Sequence, residues 1–193
     1  MEKKFGPIMQ MGFIVEDMDV AIDFWTKKMN VGPFIKLEGI ELIDQYYKGK
    51  PADLDFSGAL SYSGSMQIEL IKQHCDTPSL YNEYVNNEKG GLHHLCCLTQ
   101  DIENDIRILE SQGYINLQGG KTQDNGQFAY LDTPERERPI FELAQLSVFL
   151  SQERPIFELA QLSEGGLSFF AMIEEAAKNW DKKTTLMEAE IIL

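Results

Sequence analysis

The chain carries one pattern twice, as IMQMGFIVEDMDVAIDFW at residues 8–25 and as LHHLCCLTQDIENDIRIL at residues 92–109. Each copy begins with a strand-like apolar run, in which successive side chains point to opposite faces. Each then reaches an aspartate of the type that caps a helix, followed by apolar residues at helical spacing. An offset of 84 residues superimposes the two copies and places Gln10 on His94. The chain is therefore predicted to contain two related modules.

Strand-like runs follow each predicted helix and complete the modules. They span residues 34–47, 54–63 and 66–72 in the first module, and residues 114–117, 127–131 and 139–144 in the second. Each module has the order βαβββ, and a module of this size cannot bury both its helix and its sheet face alone. The sequence predicts an α+β fold in which the two modules share one curved mixed sheet around a cleft.

A single domain is expected to cover residues 1–193. It comprises module one at residues 5–75, module two at residues 90–163, and an amphipathic C-terminal helix at residues 165–182 that covers apolar surface. The composition agrees with this expectation, because 193 residues with 43% apolar side chains can bury one substantial core.

The charge balance excludes some classes of partner. Seventeen Lys and Arg against 31 Asp and Glu give a net charge of −14, which repels nucleic acids and anionic lipid surfaces. Three cysteines do not make a disulfide framework, and the sequence shows neither a signal-like leader nor an apolar run of roughly 18 residues. A cytoplasmic protein that binds neither nucleic acid nor membrane is expected.

One segment of the chain is duplicated without change. Residues 137–147 read ERPIFELAQLS, and residues 153–163 repeat these 11 residues at a period of 16. Such identity indicates a recent duplication, an engineered one, or an error in the sequence. Only one copy can fill the last strand position of the second module. The residue count from the first strand favours the first copy, whereas the second copy is joined directly to the C-terminal helix.

The last strand of each module carries one glutamate between apolar neighbours. Glu69 lies in MQIELI and Glu142 lies in RPIFEL, so both carboxylates face away from the helix side. The first strands supply Gln10 and His94 at equivalent places. Two carboxylates, one amide oxygen and one imidazole suit a divalent first-row metal that keeps a position open for water or a substrate oxygen.

Four motifs occur in a fixed order: MGFIVEDMDVAIDFW from residue 11, MQIELI from residue 66, GLHHL from residue 91 and RPIFEL from residue 138. In this order the chain resembles the vicinal oxygen chelate superfamily. That superfamily includes glyoxalase I, methylmalonyl-CoA epimerase, extradiol dioxygenases, and the bleomycin and fosfomycin resistance proteins. The resemblance covers nearly the whole chain and implies a metal cleft between the two modules.

Carried over by position, the resemblance implies a ligand quartet of Gln10, Glu69, His94 and Glu142, with Glu158 as the alternative to Glu142. This set is most similar to that of glyoxalase I, and the implied cofactor is a divalent ion such as Ni, Zn, Co, Mn or Fe. In that family the metal polarises an oxygen next to an acidic carbon, and a carboxylate moves the proton through an enolate-like state. Glu142 is the expected mobile base, and Glu69 can serve on the opposite face.

Departures from the family limit the substrate that the resemblance implies. Glutathione or CoA would need basic groups, but only four arginines occur, and three of them lie beside or within the duplication. Gln10 stands where the iron-dependent dioxygenases have their first histidine, which disfavours ring cleavage. The expected function is a metal-dependent lyase or isomerase of the glyoxalase I type, acting through an enolate on a small carbonyl compound or thioester.

Two other functions stay open at this point. A non-catalytic protein of the antibiotic resistance type would use the same cleft to sequester a small molecule. Alternatively, the chain is an engineered strand duplication of a glyoxalase-like protein, in which Glu142 and Glu158 compete for one place. A homodimer is expected, because family members commonly dimerise and a spare apolar strand offers an edge for pairing.

Two neighbours of His94 carry expectations of their own. Strand alternation places His93 on the opposite face, where a structural or solvent-facing role is expected. Cys96 shares the face of His94 and can line the pocket, although a free cysteine is usually a small core residue.

Overall fold

The structure, a computed structural model, describes residues 6–88, 91–123, 126–132, 140–145 and 164–188. The helices in these ranges are α1 (Met18–Lys27), α2 (Leu80–Glu88), α3 (Ile102–Glu110) and α4 (Glu164–Lys178). The strands are β1 (Ile8–Ile14), β2 (Phe34–Leu37), β3 (Leu42–Tyr47), β4 (Lys50–Pro51), β5 (Phe56–Ser63), β6 (Met66–Gln73), β7 (Gly91–Leu98), β8 (Ile115–Thr122), β9 (Gln127–Asp132), β10 (Ile140–Gln145) and β11 (Leu186–Glu188).

The described strands form one mixed sheet in the order β11-β2-β5-β6-β1-β7-β10-β9-β8-β3-β4. Its centre is the antiparallel pair of β1 and β7, in which Gln10 lies opposite Cys96 and Gly12 opposite His94. On either side of this pair, β6 runs parallel to β1 and β10 runs parallel to β7. The first strand of each module therefore lies between the last strand of its own module and the first strand of the other. The predicted α+β class and the shared sheet are confirmed.

The positions of β2 and β3 require a strongly curved sheet. These strands are eight spacings apart in the strand order, yet only residues 38–41 connect them. A flat sheet would separate them by about 38 Å, whereas such a connection reaches about 18 Å at most. The prediction of one strand over residues 34–47 is wrong, because the backbone turns at Gly39 with a φ of 61° and β3 then pairs with β8 of the second module.

Helices α1 and α3 cover the outer face of the sheet. Asp17 and Asp101 cap them as predicted, since each carboxylate accepts a hydrogen bond from the backbone N–H three residues later. Beneath α1, Ile68 and Leu70 of β6 pack in the apolar cluster that this helix covers. Strand alternation then turns Glu69 to the inner, concave face. The apolar neighbours of the glutamate thus decide which way it faces.

The first copy of the duplicated segment provides β10. Glu142 pairs with Cys96 of β7 and with Tyr130 of β9. In the first module Glu69 pairs with Gly12, and the 84-residue offset places Gly12 on Cys96. Glu142 therefore occupies the register position in module two that Glu69 occupies in module one. The second copy, with Glu158, lies outside the described residues.

Helix α4 packs against the strands of the first module. Ile173 is fully buried in a cluster with Ile35 of β2 and Leu60 of β5. Phe170, one turn earlier, reaches the cavity on the concave face. Across the described ranges, every helix is too short or too polar to span a membrane.

Candidate functional site

Three polar side chains meet on the concave face around Nε2 of His94. The Oε1 atom of Gln10 lies 3.3 Å from this nitrogen, and the Oε2 atom of Glu69 lies 3.2 Å from it. His94 is fully buried and Gln10 nearly so, whereas 21% of the Glu69 side chain is exposed. The structure therefore brings together three of the residues that the sequence analysis selected, with the carboxylate nearest to solvent.

Gln67 sets the orientation of the Gln10 amide, a role that was not predicted from the sequence. Nε2 of Gln10 donates a hydrogen bond of 2.7 Å to Oε1 of Gln67, and Nε2 of Gln67 donates one of 3.0 Å to the hydroxyl of Tyr62. An amide carries its oxygen and nitrogen on opposite arms. Holding the nitrogen of Gln10 on Gln67 therefore turns its oxygen toward His94. The available signal was the position of Gln67, two residues before Glu69 on the same strand face.

Two β-bulges shift side chains at equivalent places in the modules. In β1 the register slips between Ile8 and Gln10, so that Met9 is the extra residue. In β7 it slips between Leu92 and His94, which leaves His93 as the extra residue. A bulge lets two successive residues face one side of a sheet. Accordingly, Met9 and Gln10 both line the same cavity.

The bulge at His93 overturns the expectation of an outward side chain. Only 1% of this residue is exposed, and its Nδ1 atom lies 3.0 Å from Nδ1 of His94. The His93 ring packs against those of Tyr81, Tyr84 and Tyr130. Burial, followed by the neighbouring His94, holds the pKa of His93 well below its ordinary value. His93 is therefore a neutral partner of His94 at ordinary pH, and the solvent-facing alternative is wrong.

Gly12 makes room for the imidazole of His94. A Cβ atom at this position would stand 1.8 Å from Cε1 and 2.1 Å from Nε2 of His94. No side chain fits within such a distance. The glycine in the first strand is therefore required by the histidine in the second, although the two are 82 residues apart in sequence.

An apolar cavity of about 170 Å³ opens beside Gln10 and Glu69. Its described lining is Met9, Gln10, Ile40, Leu42, Phe56, Glu69, Ile71, Tyr81, Cys96, Leu98, Thr122, Gly126, Gln127, Phe128, Tyr130, Ala144 and Phe170. Glu69 is the one carboxylate in this described lining, and neither Lys nor Arg occurs in it. Cys96 faces the cavity as expected for a residue on the face of His94. The site is thus a small polar cluster at the edge of a cavity that is lined mainly by aromatic and aliphatic side chains.

The cluster around His94 offers two of the residue types that most often bind metals. Among the described residues, no three His, Cys, Asp or Glu side chains lie close enough together to hold a metal ion. The third donor in the cluster is the amide oxygen of Gln10. A fourth depends on Glu142, whose side chain lies outside what is described, although its backbone pairs with Cys96 in the sheet.

The sequence profile of the Glyoxalase/Bleomycin resistance protein/Dioxygenase superfamily matches residues 9–130, which is more than half of the chain. The chain belongs to this superfamily. The resemblance to this superfamily that the sequence predicts is thereby confirmed. Members of the superfamily typically bind a divalent metal and small-molecule substrates. A comparison with curated proteins finds no match.

Solved structures agree with the superfamily fold. A hypothetical protein from Bacillus halodurans C-125 is 15% identical with a TM-score of 0.54, covering 78% of this chain and 100% of its own. Methylmalonyl-CoA epimerase from Mycobacterium tuberculosis is 16% identical with a TM-score of 0.51, covering 75% and 90%. A variant of 4-hydroxymandelate synthase from Streptomyces coelicolor is 15% identical with a TM-score of 0.53, covering 72% and 38%. At these identities the likeness shows a common fold alone.

Proposed function

We propose that the chain is a metal-dependent lyase or isomerase of the glyoxalase I type, which acts through an enolate on a small carbonyl compound. The observation that carries the proposal is the convergence of Oε1 of Gln10 and Oε2 of Glu69 on Nε2 of His94. Two oxygen atoms and one ring nitrogen lie close together where little water reaches them. Such a group needs a proton or a cation between its atoms. The N/O donor set suits a divalent first-row ion.

The four proposed ligands approach from both sides of the central strand pair. Gln10 and His94 lie on β1 and β7, while Glu69 lies on β6 and Glu142 on β10, the strands that flank this pair. Zinc, nickel, cobalt, manganese and iron all accept such ligands. Superfamily membership and the equal register of Glu69 and Glu142 support this quartet, with Glu158 as the substitute for Glu142.

A bound divalent ion would supply Lewis-acid polarisation of a substrate oxygen. We propose that Glu142 takes the proton from the carbon next to that oxygen. Glu69, on the other flank of the central pair, then delivers a proton to the neighbouring carbon or to the opposite face of the same carbon. The buried Gln10 and His94 hold the site, and the aromatic lining excludes water while the proton moves.

The cavity supports a substrate that is small and mostly apolar. Its described lining provides aromatic and aliphatic contacts from Phe56, Phe128 and Phe170, with no basic side chain to pair with phosphates or carboxylates. We therefore favour an aryl or alkyl carbonyl compound over a glutathione adduct or a CoA thioester.

A binding protein of the antibiotic resistance type is the second candidate. It is favoured by the finding that the described residues contain no group of three His, Cys, Asp or Glu suited to a metal. The same apolar cavity would then hold a ligand without chemistry. In either case a cytoplasmic homodimer stays a prediction, which sedimentation of the purified chain and localisation in the source cells can check.

The proposal is tested by metal content and by proton exchange. The protein is stripped with EDTA, reloaded with one divalent ion at a time, and incubated in D₂O with a panel of small aryl and alkyl α-hydroxy ketones and aldehydes. We expect about one ion per chain and deuterium uptake at the carbon next to the carbonyl, both lost in His94→Ala. Tight binding of a panel compound without metal or exchange would instead support the binding protein.

A further inference from the structure

We propose that His93 is a positioning residue: its Nδ1 atom accepts a hydrogen bond from the protonated Nδ1 of His94, which leaves the Nε2 lone pair of His94 facing Gln10 and Glu69. This inference rests on the proposed function, because it assigns a purpose to the contact behind the metal site. The observation is the distance of 3.0 Å between the two Nδ1 atoms.

The distance restricts where the protons of the two rings can be. A neutral imidazole carries one N–H and one lone pair, so a hydrogen bond between two Nδ1 atoms needs a proton on one of them only. If His93 donated, Nε2 of His94 would carry the proton of that ring and could not bind a metal ion. If His94 donates, its Nε2 is free to bind. Metal-binding histidines generally donate their second N–H to a carboxylate, a backbone carbonyl or a water molecule, and in this proposal the lone pair of the His93 imidazole takes that place.

His93 is well placed to remain the acceptor. The bulge in β7 brings its ring to the side of His94. The rings of Tyr81, Tyr84 and Tyr130 surround it, which leaves it little freedom to turn away. Its Nε2 atom has no hydrogen-bond partner among the described residues, so the contact with His94 is the one described hydrogen bond that bears on the tautomer of His93.

The contact explains why the chain carries two successive histidines. His94 is fully buried, and its Nε2 must stay within reach of two oxygen atoms. Loss of the acceptor at Nδ1 removes the hydrogen bond that favours this tautomer and this ring orientation of His94. Loss of such a supporting contact typically lowers metal affinity by about 10-fold to 100-fold.

The test compares His93→Phe with His93→Asn in the full chain. Phenylalanine keeps an aromatic ring in the tyrosine cluster but removes the acceptor, whereas the amide oxygen of asparagine can lie near the position of Nδ1. We expect zinc affinity, measured by competition with a chelator, to fall about 10-fold to 100-fold in His93→Phe and by less than about threefold in His93→Asn. Circular dichroism and thermal unfolding establish that both variants are folded. Equal affinities in all three proteins, or equal losses in both variants, would overturn the proposal.

Imidazole ¹⁵N spectra give a second readout that does not depend on activity or on substitution. In the zinc-loaded wild type, Nδ1 of His94 and Nε2 of His93 should carry the protons; a proton on Nδ1 of His93 would contradict the inference. If the wild type takes up no zinc, the proposed function fails by itself. The inference is then decided by the metal-free protein, in which Nδ1 of His94 must still be protonated.

Discussion

The imidazole of His94 occupies the space that any side chain at Gly12 would need. The two residues lie opposite each other in the central strand pair, and a Cβ atom at position 12 would stand 1.8 Å from Cε1 of His94. At the centre of the sheet, the buried ring of the second module therefore packs directly over the glycine of the first module. This contact holds Nε2 of His94 in its place beside Glu69.

The substitution Gly12→Ala should disturb both stability and the site. The added methyl group must displace a ring that is fully buried, and such overpacking costs about 1 to 3 kcal/mol of unfolding free energy. Urea unfolding measures this cost, and zinc competition should show weaker binding. Gly58→Ala is the matched control, because the nearest atom to its Cβ lies at 3.8 Å. Equal behaviour of the two variants would contradict the role of Gly12.

Much of the site could be predicted from the sequence because strand alternation decides it. Ile68 and Leu70 belong under a helix, so Glu69 must face the other way, and the 84-residue offset aligns Gln10 with His94. These arguments need only local pattern and the internal repeat. They place three donors on one face of a sheet without knowledge of the pairing.

The alternation of side chains along a strand does not predict a β-bulge, nor which distant strand pairs with it. The inward turn of His93 depends on one extra residue in β7, which appears only once β7 is paired with β1. The role of Gln67 depends on the parallel pairing of β1 with β6, which puts it beside Gln10. Likewise, the crossing of β3 to β8 is decided by closure of the whole sheet.

Removal of the Gln67 amide should weaken the site through Gln10. Gln67→Leu takes away the acceptor that holds Nε2 of Gln10 at 2.7 Å, which frees the Gln10 amide to turn its oxygen from His94. The buried N–H left behind costs about 1 to 3 kcal/mol. Urea unfolding and zinc competition should both report the loss.

A carboxylate at the same position provides the control. Gln67→Glu keeps an acceptor for Gln10 and can also accept from the Tyr62 hydroxyl, so zinc affinity should stay within about threefold of the wild type. Wild-type affinity in Gln67→Leu would show that Gln10 needs no support from β6.

The buried His93 should make stability fall in mild acid. Burial and the adjacent His94 hold the pKa of His93 well below the value of about 6.5 that applies in the unfolded chain. Below that pH, His93 binds a proton in the unfolded chain but stays neutral in the native protein. The free energy of unfolding therefore falls as the pH drops from 6.5 toward the lowered pKa, by at most about 1.4 kcal/mol per pH unit from this residue. Stability at neutral pH is unaffected by this term.

Urea unfolding of the metal-free protein at several values between pH 5 and pH 8 measures the effect. The slope below pH 6.5 should be smaller in His93→Asn, because asparagine does not titrate. The difference between the two proteins isolates His93 from the many carboxylates of this acidic chain. If the unfolding free energies of the two proteins change with pH in parallel over the whole range, the pKa of native His93 is not lowered.

The two copies of the duplicated segment allow a direct comparison of identical sequences in different places. Glu142 lies in β10 between β7 and β9, at the register position equivalent to Glu69. Glu158 belongs to the second copy, which does not form β10. Glu142→Gln should therefore lower zinc affinity by at least about 10-fold, since it removes the charge of a proposed ligand. Glu158→Gln should change affinity by less than about twofold.

The double variant tests whether the copies exchange. If β10 is always formed by the first copy, the double variant should match Glu142→Gln within error. If the second copy replaces the first when residue 142 is changed, Glu142→Gln alone should be mild and the double variant severe. Equal losses in the two single variants, or a larger loss in Glu158→Gln, would mean that the second copy occupies the strand position between β7 and β9.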